Sequence, residues 1–162
     1  MEIELEINDN QIIRAEQLYT FKSLNGSITN GESNIFGAIG EVVVYDYFKG
    51  KGKEVDFSST YDYDMIINND RIDVKTKAVA QFGNENVLAS VSNWNYKQRC
   101  DYYFFVQVLH NKKYAQLLGY KNKFQFYEIG FEKKKGDIDT DGFVFRSDCY
   151  NLKVVDLDKF RR

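Results

Sequence analysis

The chain has 162 residues, room for one domain with a sizeable core and too few for two. A net charge of −2 and a pI of about 5.5 argue against a protein held to nucleic acid by a global basic field. The two cysteines, Cys100 and Cys149, form no Cys-x-x-Cys and lack nearby histidines, which speaks against structural zinc and for a reduced compartment.

The start, Met1-Glu2-Ile3-Glu4-Leu5-Glu6, is acidic rather than signal-like, and no stretch approaches transmembrane length. The expectation is a cytoplasmic protein that makes no use of a membrane. Proline is absent, while Tyr and Phe number 12 and 13. Abundant Asn, Lys, Ile, Tyr and Phe suit AT-rich coding, so a phage, plasmid or low-GC bacterial origin is expected, with action in a bacterial or phage-infected cell. Ile12, Ile13, Leu18, Tyr19 and Phe21 predict a first helix over 9–21, capped by Asp9 or Asn10. The polar run 23–31 reads as a loop placed to lie over a site.

A second helix is predicted over 33–48 from Ile35, Phe36, Ile39, Val42, Val43 and Tyr47, with Val44 and Phe48 extending the apolar surface. Between Ile35 and Phe48 the only charged residues are Glu41 and Asp46. A carboxylate in such surroundings is costly unless it meets a cation. Gly37 and Gly40 would let the helix approach its neighbours closely. The plain alternative puts Glu41 on a solvent flank.

The most informative stretch is 61–77, two short apolar strands joined by Asn68-Asn69-Asp70 in the manner of a β-hairpin. With Asn69-Asp70 as the loop, Ile67 pairs with Ile72 and Asp64 with Lys75. Asp64, Asp73, Lys75 and Lys77 then share one face, and Met65, Ile67, Ile72, Val74 and Thr76 the other. Two carboxylates can hold a hard cation that activates water, and a lysine beside them can orient that water or neutralise charge developing on a phosphate. The bland reading is an exposed Asp64–Lys75 salt bridge, which would contribute little stability.

Further on, a strand is predicted over 86–91 and a short helix or turn over 92–99. A buried strand over 102–109 should pair with one over 114–119, a helical turn fits 124–129, and late strands fit 143–145 and 152–157. The acidic run 136–142 lacks the spacing and final glutamate of an EF-hand and reads as a solvated turn. His110, the only histidine, falls at a hairpin end, so histidine-based hydrolysis is disfavoured. The basic runs 49–53 and 133–135 read as solvated loops.

The pattern Asp64…Ile72-Asp73-Val74-Lys75, preceded by Gly37-Ala38-Ile39-Gly40-Glu41, resembles the PD-(D/E)XK nuclease superfamily, the restriction-endonuclease-like fold, over 33–109. Tyr63 stands where the family's name has proline. The resemblance implies an α/β fold, a central mixed β-sheet flanked by helices with an αβββαβ core, in a single nuclease-like domain spanning 1–162. It implies a DNA nuclease, endonuclease rather than exonuclease, that uses Mg²⁺ (Mn²⁺ substituting). Glu41, Asp64 and Asp73 would be its metal ligands and Lys75 its water-orienting residue. Lys77, Lys97 and Arg99 are the candidate nucleic-acid contacts, and Asp62 ranks behind Asp64. DNA is the expected partner, and relatives of this kind are often homodimers. The alternative is a nuclease-fold module that no longer cuts and works within a DNA-processing complex.

Overall fold

A computed structural model describes residues 2–24, 33–58, 60–83, 86–139 and 142–161. The elements in chain order are β1 (Ile3–Glu6), α1 (Asp9–Leu24), α2 (Ser33–Gly50), β2 (Val55–Asp56), β3 (Met65–Ile67), β4 (Asp70–Val79), β5 (Leu88–Ser92), β6 (Tyr102–Leu109), β7 (Tyr114–Asn122), α3 (Lys123–Ile129), β8 (Phe131–Lys133) and β9 (Cys149–Lys153). Two 3₁₀ turns, Asn93–Lys97 and Val154–Asp156, complete the described structure.

The fold is mixed α/β. A six-stranded sheet runs β1-β7-β6-β4-β3-β2, with β4 and β6 parallel and every other pair antiparallel. A three-stranded sheet, β5-β9-β8, stands apart from it. One face of the large sheet gives Met65, Ile67, Ile72, Val74, Phe104, Val106 and Val108 to a core shared with Ile39, Val42, Val43 and Val44 of α2. The opposite face gives Tyr103, Phe105 and Leu118 to a second core, with Phe126 of α3 and with Ala89, Val91 and Leu152 of the small sheet. Alternation of side chains along β4 and β6 produces these two cores.

Several sequence expectations change. The α1 cap is Asn8, not Asp9 or Asn10: Asn8 Oδ1 accepts from the Gln11 N–H at 2.8 Å, and Gln11 Oε1 from the Asn8 N–H at 3.0 Å. This reciprocal pair is a capping box with Gln11 in the third helical position. The strand expected at 86–91 exists as β5 but pairs with β9, outside the large sheet. The stretch 152–157 is the end of β9 followed by a 3₁₀ turn, and among the described residues 143–145 carries only the isolated bridge Ile138↔Val144. Most of the loop expected at 23–31, and Thr140-Asp141 of the acidic run, lie outside the described residues. Among the described residues no helix is long and apolar enough to cross a membrane.

The β3–β4 hairpin turns one residue earlier than expected. Asn68 (φ 46°) and Asn69 (φ 74°) form the two-residue loop, with Ile67 opposite Asp70 and Met65 opposite Ile72. Positive φ at both positions is what a type I′ turn demands, and asparagine tolerates it. Asn68 is also pinned: its N–H donates to Glu54 O, and its Oδ1 accepts from the Glu54 N–H. Moving the loop by one position changes the pairing but not the faces, because both strands shift together.

Candidate active site

The ladder between β3 and β4 stops at Met65↔Ile72, and Asp64 begins the site. Its N–H donates to Ile72 O at 2.9 Å, and its Oδ2 accepts from the Val74 N–H at 2.7 Å. The carboxylate thus takes over a β4 backbone donor just where β3 leaves. Asp64 therefore lies beside Asp73, not opposite Lys75 as the expected loop would have it.

Asp73 and Lys75 follow on β4, in register with Tyr103 and Phe105 of β6. Lys75 Nζ lies 2.6 Å from Asp73 Oδ2 and 5.7 Å from the centre of the Tyr103 ring. Asp73 Oδ1 accepts a long bond, 3.4 Å, from Gln98 Nε2, which also donates to Tyr61 O at 2.8 Å.

Glu41 reaches the same place from α2, on the other side of the sheet. Gly40 makes this approach possible: a Cβ there would run into the hydroxyl of Thr76 on β4. Gly37, expected to serve likewise, has nothing among the described residues within 4 Å of where its Cβ would be. Glu41, Asp64 and Asp73 are only 5%, 8% and 4% exposed, which removes both the solvent-flank reading of Glu41 and the exposed salt-bridge reading of the hairpin.

The cation that meets Glu41 comes from α1. Lys22 Nζ is 2.5 Å from Glu41 Oε1 and 3.6 Å from Asp64 Oδ1. The second Glu41 oxygen, Oε2, is buried with no hydrogen-bond partner among the described residues. Burial and the neighbouring Asp64 charge push the Glu41 carboxyl up to about 8, against the pull of Lys22. Burial likewise raises Asp73, to about 7, with Lys75 opposing and Asp64 adding to the rise. Three carboxyls thus converge on two ammoniums, and the excess of acid is held at a cost.

Around this cluster the other expected residues divide. Lys97 and Arg99 are exposed and bracket Gln98, with the Arg99 N–H donating to Asp62 Oδ1 at 3.0 Å. Asp62 is thereby a loop anchor, not a member of the cluster. Lys77 lies further along the Lys75 face of β4, its Nζ 4.5 Å from the centre of the Phe143 ring. Within the 133–135 run Lys134 pairs with Glu132 and Asp148 at the surface. His110 is exposed at the β6–β7 turn, edge-on to Phe36. Sequence reasoning missed Lys22 and Gln98. Glu41, an acid flanked by apolar residues in α2, was the available signal for a buried cation, and Lys22 lies in the last turn of the preceding helix.

A separate cleft of about 370 Å³ is walled by Phe48, Ile67, Ile72, Phe104, Tyr120 and Phe160 and contains none of the acidic cluster. Its Lys159 is already committed to Glu2 and to the carbonyls of Leu118 and Val154.

Among the described residues no group of three or more His, Cys, Asp or Glu stands ready to hold a metal ion. The donor chemistry nonetheless fits a hard divalent cation: carboxylate oxygens alone, an unpartnered Glu41 Oε2, and a buried ammonium already between two of the acids. No protein-family model matches the chain, and no curated protein does.

Proposed function

We propose that this protein is a divalent-metal-dependent nuclease that hydrolyses phosphodiester bonds in DNA. The observation that carries the reading is the convergence of buried Glu41, Asp64 and Asp73 from α2, the entry to β3, and β4, beside Lys75. Carboxylates buried in excess of their cations cost stability, and such groups cluster where chemistry is done. The order of elements supports a PD-(D/E)XK-like core. After α2 come β2, β3 and β4, then a crossover through β5 and the 3₁₀ turn to β6, parallel to β4.

In this reading Glu41, Asp64 and Asp73 hold the cation, with Asp64 fixed by the Val74 N–H. A bound Mg²⁺ or Mn²⁺ supplies Lewis acidity and a water more acidic than in bulk. Lys75, held by Asp73 and facing Tyr103, orients the attacking water and offsets negative charge growing on the phosphate. Gln98 fixes Asp73 from the far side. Lys97 and Arg99, exposed on either side of Gln98, contact the nucleic-acid backbone, and Lys77 continues the basic line along β4. These few cations, against a net charge of −2, imply modest, salt-sensitive binding that strengthens once a cation occupies the site.

The second reading, a module that binds without cutting, draws on one observation: Lys22 and Lys75 already partner the acids. Cleavage of plasmid, linear, single-stranded and branched DNA with Mg²⁺, Mn²⁺ or Ca²⁺, by wild type and Lys75→Ala, separates the two. Mg²⁺-dependent cleavage lost in Lys75→Ala is expected. Binding with no cleavage of any of the four substrates would favour the second reading, and cleavage undiminished in Lys75→Ala would remove the assignment of this site.

A further inference from the structure

The α1 ammonium has the position of an ion rather than of an ordinary helix-to-helix clasp. Lys22 Nζ bridges Glu41 Oε1 and Asp64 Oδ1, side chains of two different elements, in a site where all three groups are largely removed from water. Among the described residues Glu41 Oε2 has no hydrogen-bond partner in the same buried place. A lysine meant only to satisfy Glu41 would leave neither an orphan oxygen nor a second acid within reach. We infer that Lys22 is the built-in counter-ion of the metal-free site, and that a divalent cation enters by exchange with it. The inference rests on the metal-dependent reading above.

The exclusion is geometric and electrostatic. Mg²⁺ binds oxygens at about 2.0–2.1 Å and demands near-octahedral geometry. An ammonium keeps about 2.7–2.9 Å from a carboxylate oxygen, so the two cannot share Glu41 Oε1 and Asp64 Oδ1 without close like-charge contact. Lysine suits the role because its charge rides on a flexible four-carbon stem and is strongly hydrated once released. Lys22 lies in the last turn of α1, between the exposed residues Phe21 and Ser23. Its side chain is itself 14% exposed, so release to water needs side-chain rotation with the helix staying in place. Exchange makes metal affinity the difference between two cations' preferences, which weakens binding while sparing the metal-free protein an uncompensated Glu41–Asp64 pair.

The test is Mn²⁺ binding, followed by titration calorimetry and by the loss of the free-ion paramagnetic resonance signal, in wild type, Lys22→Met and Asp73→Asn. Lys22→Met keeps the stem and removes the charge. It should bind Mn²⁺ on the order of tenfold more tightly, as removal of a unit charge a few ångström away implies, and should melt lower than wild type in EDTA. Equal or weaker binding by a folded Lys22→Met would overturn the exchange and leave Lys22 a structural clasp, with the metal reading intact. No wild-type binding that Asp73→Asn weakens would instead overturn the metal reading, and the exchange with it. Should Lys22→Met not fold, lysine acetylation of wild type read by mass spectrometry still decides. Lys22 should be slow to label in EDTA and faster with Mn²⁺, whereas an unchanged rate at saturating Mn²⁺ would overturn the exchange.

Discussion

Helix α1 grips α2 through two acid–base pairs, and the two differ in kind. At one end Arg14 Nη1 and Nη2 donate to both oxygens of Asp46 at 2.8 and 2.7 Å, and Gln11 Nε2 adds a third bond at 2.9 Å. At the other end Lys22 meets one oxygen of Glu41 and leaves the second without a partner among the described residues. The Arg14 and Asp46 side chains are about a third exposed, whereas those of Lys22 and Glu41 are 14% and 7% exposed. Burial raises the Asp46 carboxyl, but the Arg14 and Gln11 bonds outweigh it and hold Asp46 below the ordinary carboxylate range. Burial and Asp64 leave Glu41 above that range. A pair that exists to join helices saturates its acceptors in planar, bidentate geometry. A pair that leaves an acceptor open, in a less hydrated place, keeps the capacity to take another cation.

The largest effect expected from this contrast is on cleavage. Glu41→Gln, Asp73→Ala and Lys75→Ala should each lower the rate by about 10²-fold or more, the scale of removing one preorganised charge from a reaction centre. Asp46→Asn should leave it within about twofold. A rate equally sensitive to Asp46 and Glu41 would erase the distinction. Next in size is the response to metal. With millimolar affinity, about 10 mM Mg²⁺ should stabilise the wild type by about 1.4 kcal/mol, a few degrees in melting temperature. Asp46→Asn should keep that gain, while Asp73→Asn should lose most of it and melt higher than wild type in EDTA. Identical metal responses in wild type and Asp73→Asn would show that Asp73 is no ligand.

How much of this was legible beforehand follows from the same physics. Face alternation is local, so Asp64, Asp73 and Lys75 could be assigned to one patch although the turn was misplaced by a residue. The turn itself depends on Glu54, which holds Asn68 from 14 positions away, and no reading of the hairpin alone finds that. The α2 face and the β6–β7 hairpin announced themselves by period. Strand β5 did too, but which sheet takes it depends on β9, more than fifty residues later. Glu41 was suspect because it is an acid in an apolar helix. Lys22 was not, because its partners lie 19 and 42 positions away and nothing local distinguishes it from an exposed lysine at a helix end.

Two smaller effects sharpen the comparison further. Glu41 and Asp73 have folded-state values near 8 and 7, above their ordinary 4.5 and 3.8. The stability they contribute is fully present below about pH 4 and is lost as pH rises through 7 to 8. Melting in EDTA should therefore fall between pH 5 and pH 8.5, and the fall should shrink in Glu41→Gln. Asp46 has the opposite sign, its contribution being lost as pH falls through its depressed value, so Asp46→Asn should flatten only the acid limb. Melts that are flat across the neutral range would contradict the strained-acid account. Charge reversal of Lys133, Lys134 and Lys135 should change DNA binding least of all, because Lys134 is spent on Glu132 and Asp148 at the surface. A large loss there would place the nucleic acid elsewhere.

The contact between Gly40 and Thr76 has a consequence for anyone trying to make this protein more robust. Two glycines in the first turns of α2 invite replacement by alanine, since each costs a helix about 1 kcal/mol relative to alanine. They are not equivalent targets. At Gly37 the added methyl meets nothing among the described residues, and the gain should be realised almost in full. At Gly40 it would strike Thr76, push α2 away from β4 and carry Glu41 with it. The helix has kept a weak spot as a spacer that sets how far an acid on one layer stands from the acids on another. A hardened variant that fills Gly40 would keep its fold and lose its aim, unless Thr76 were shortened to make room.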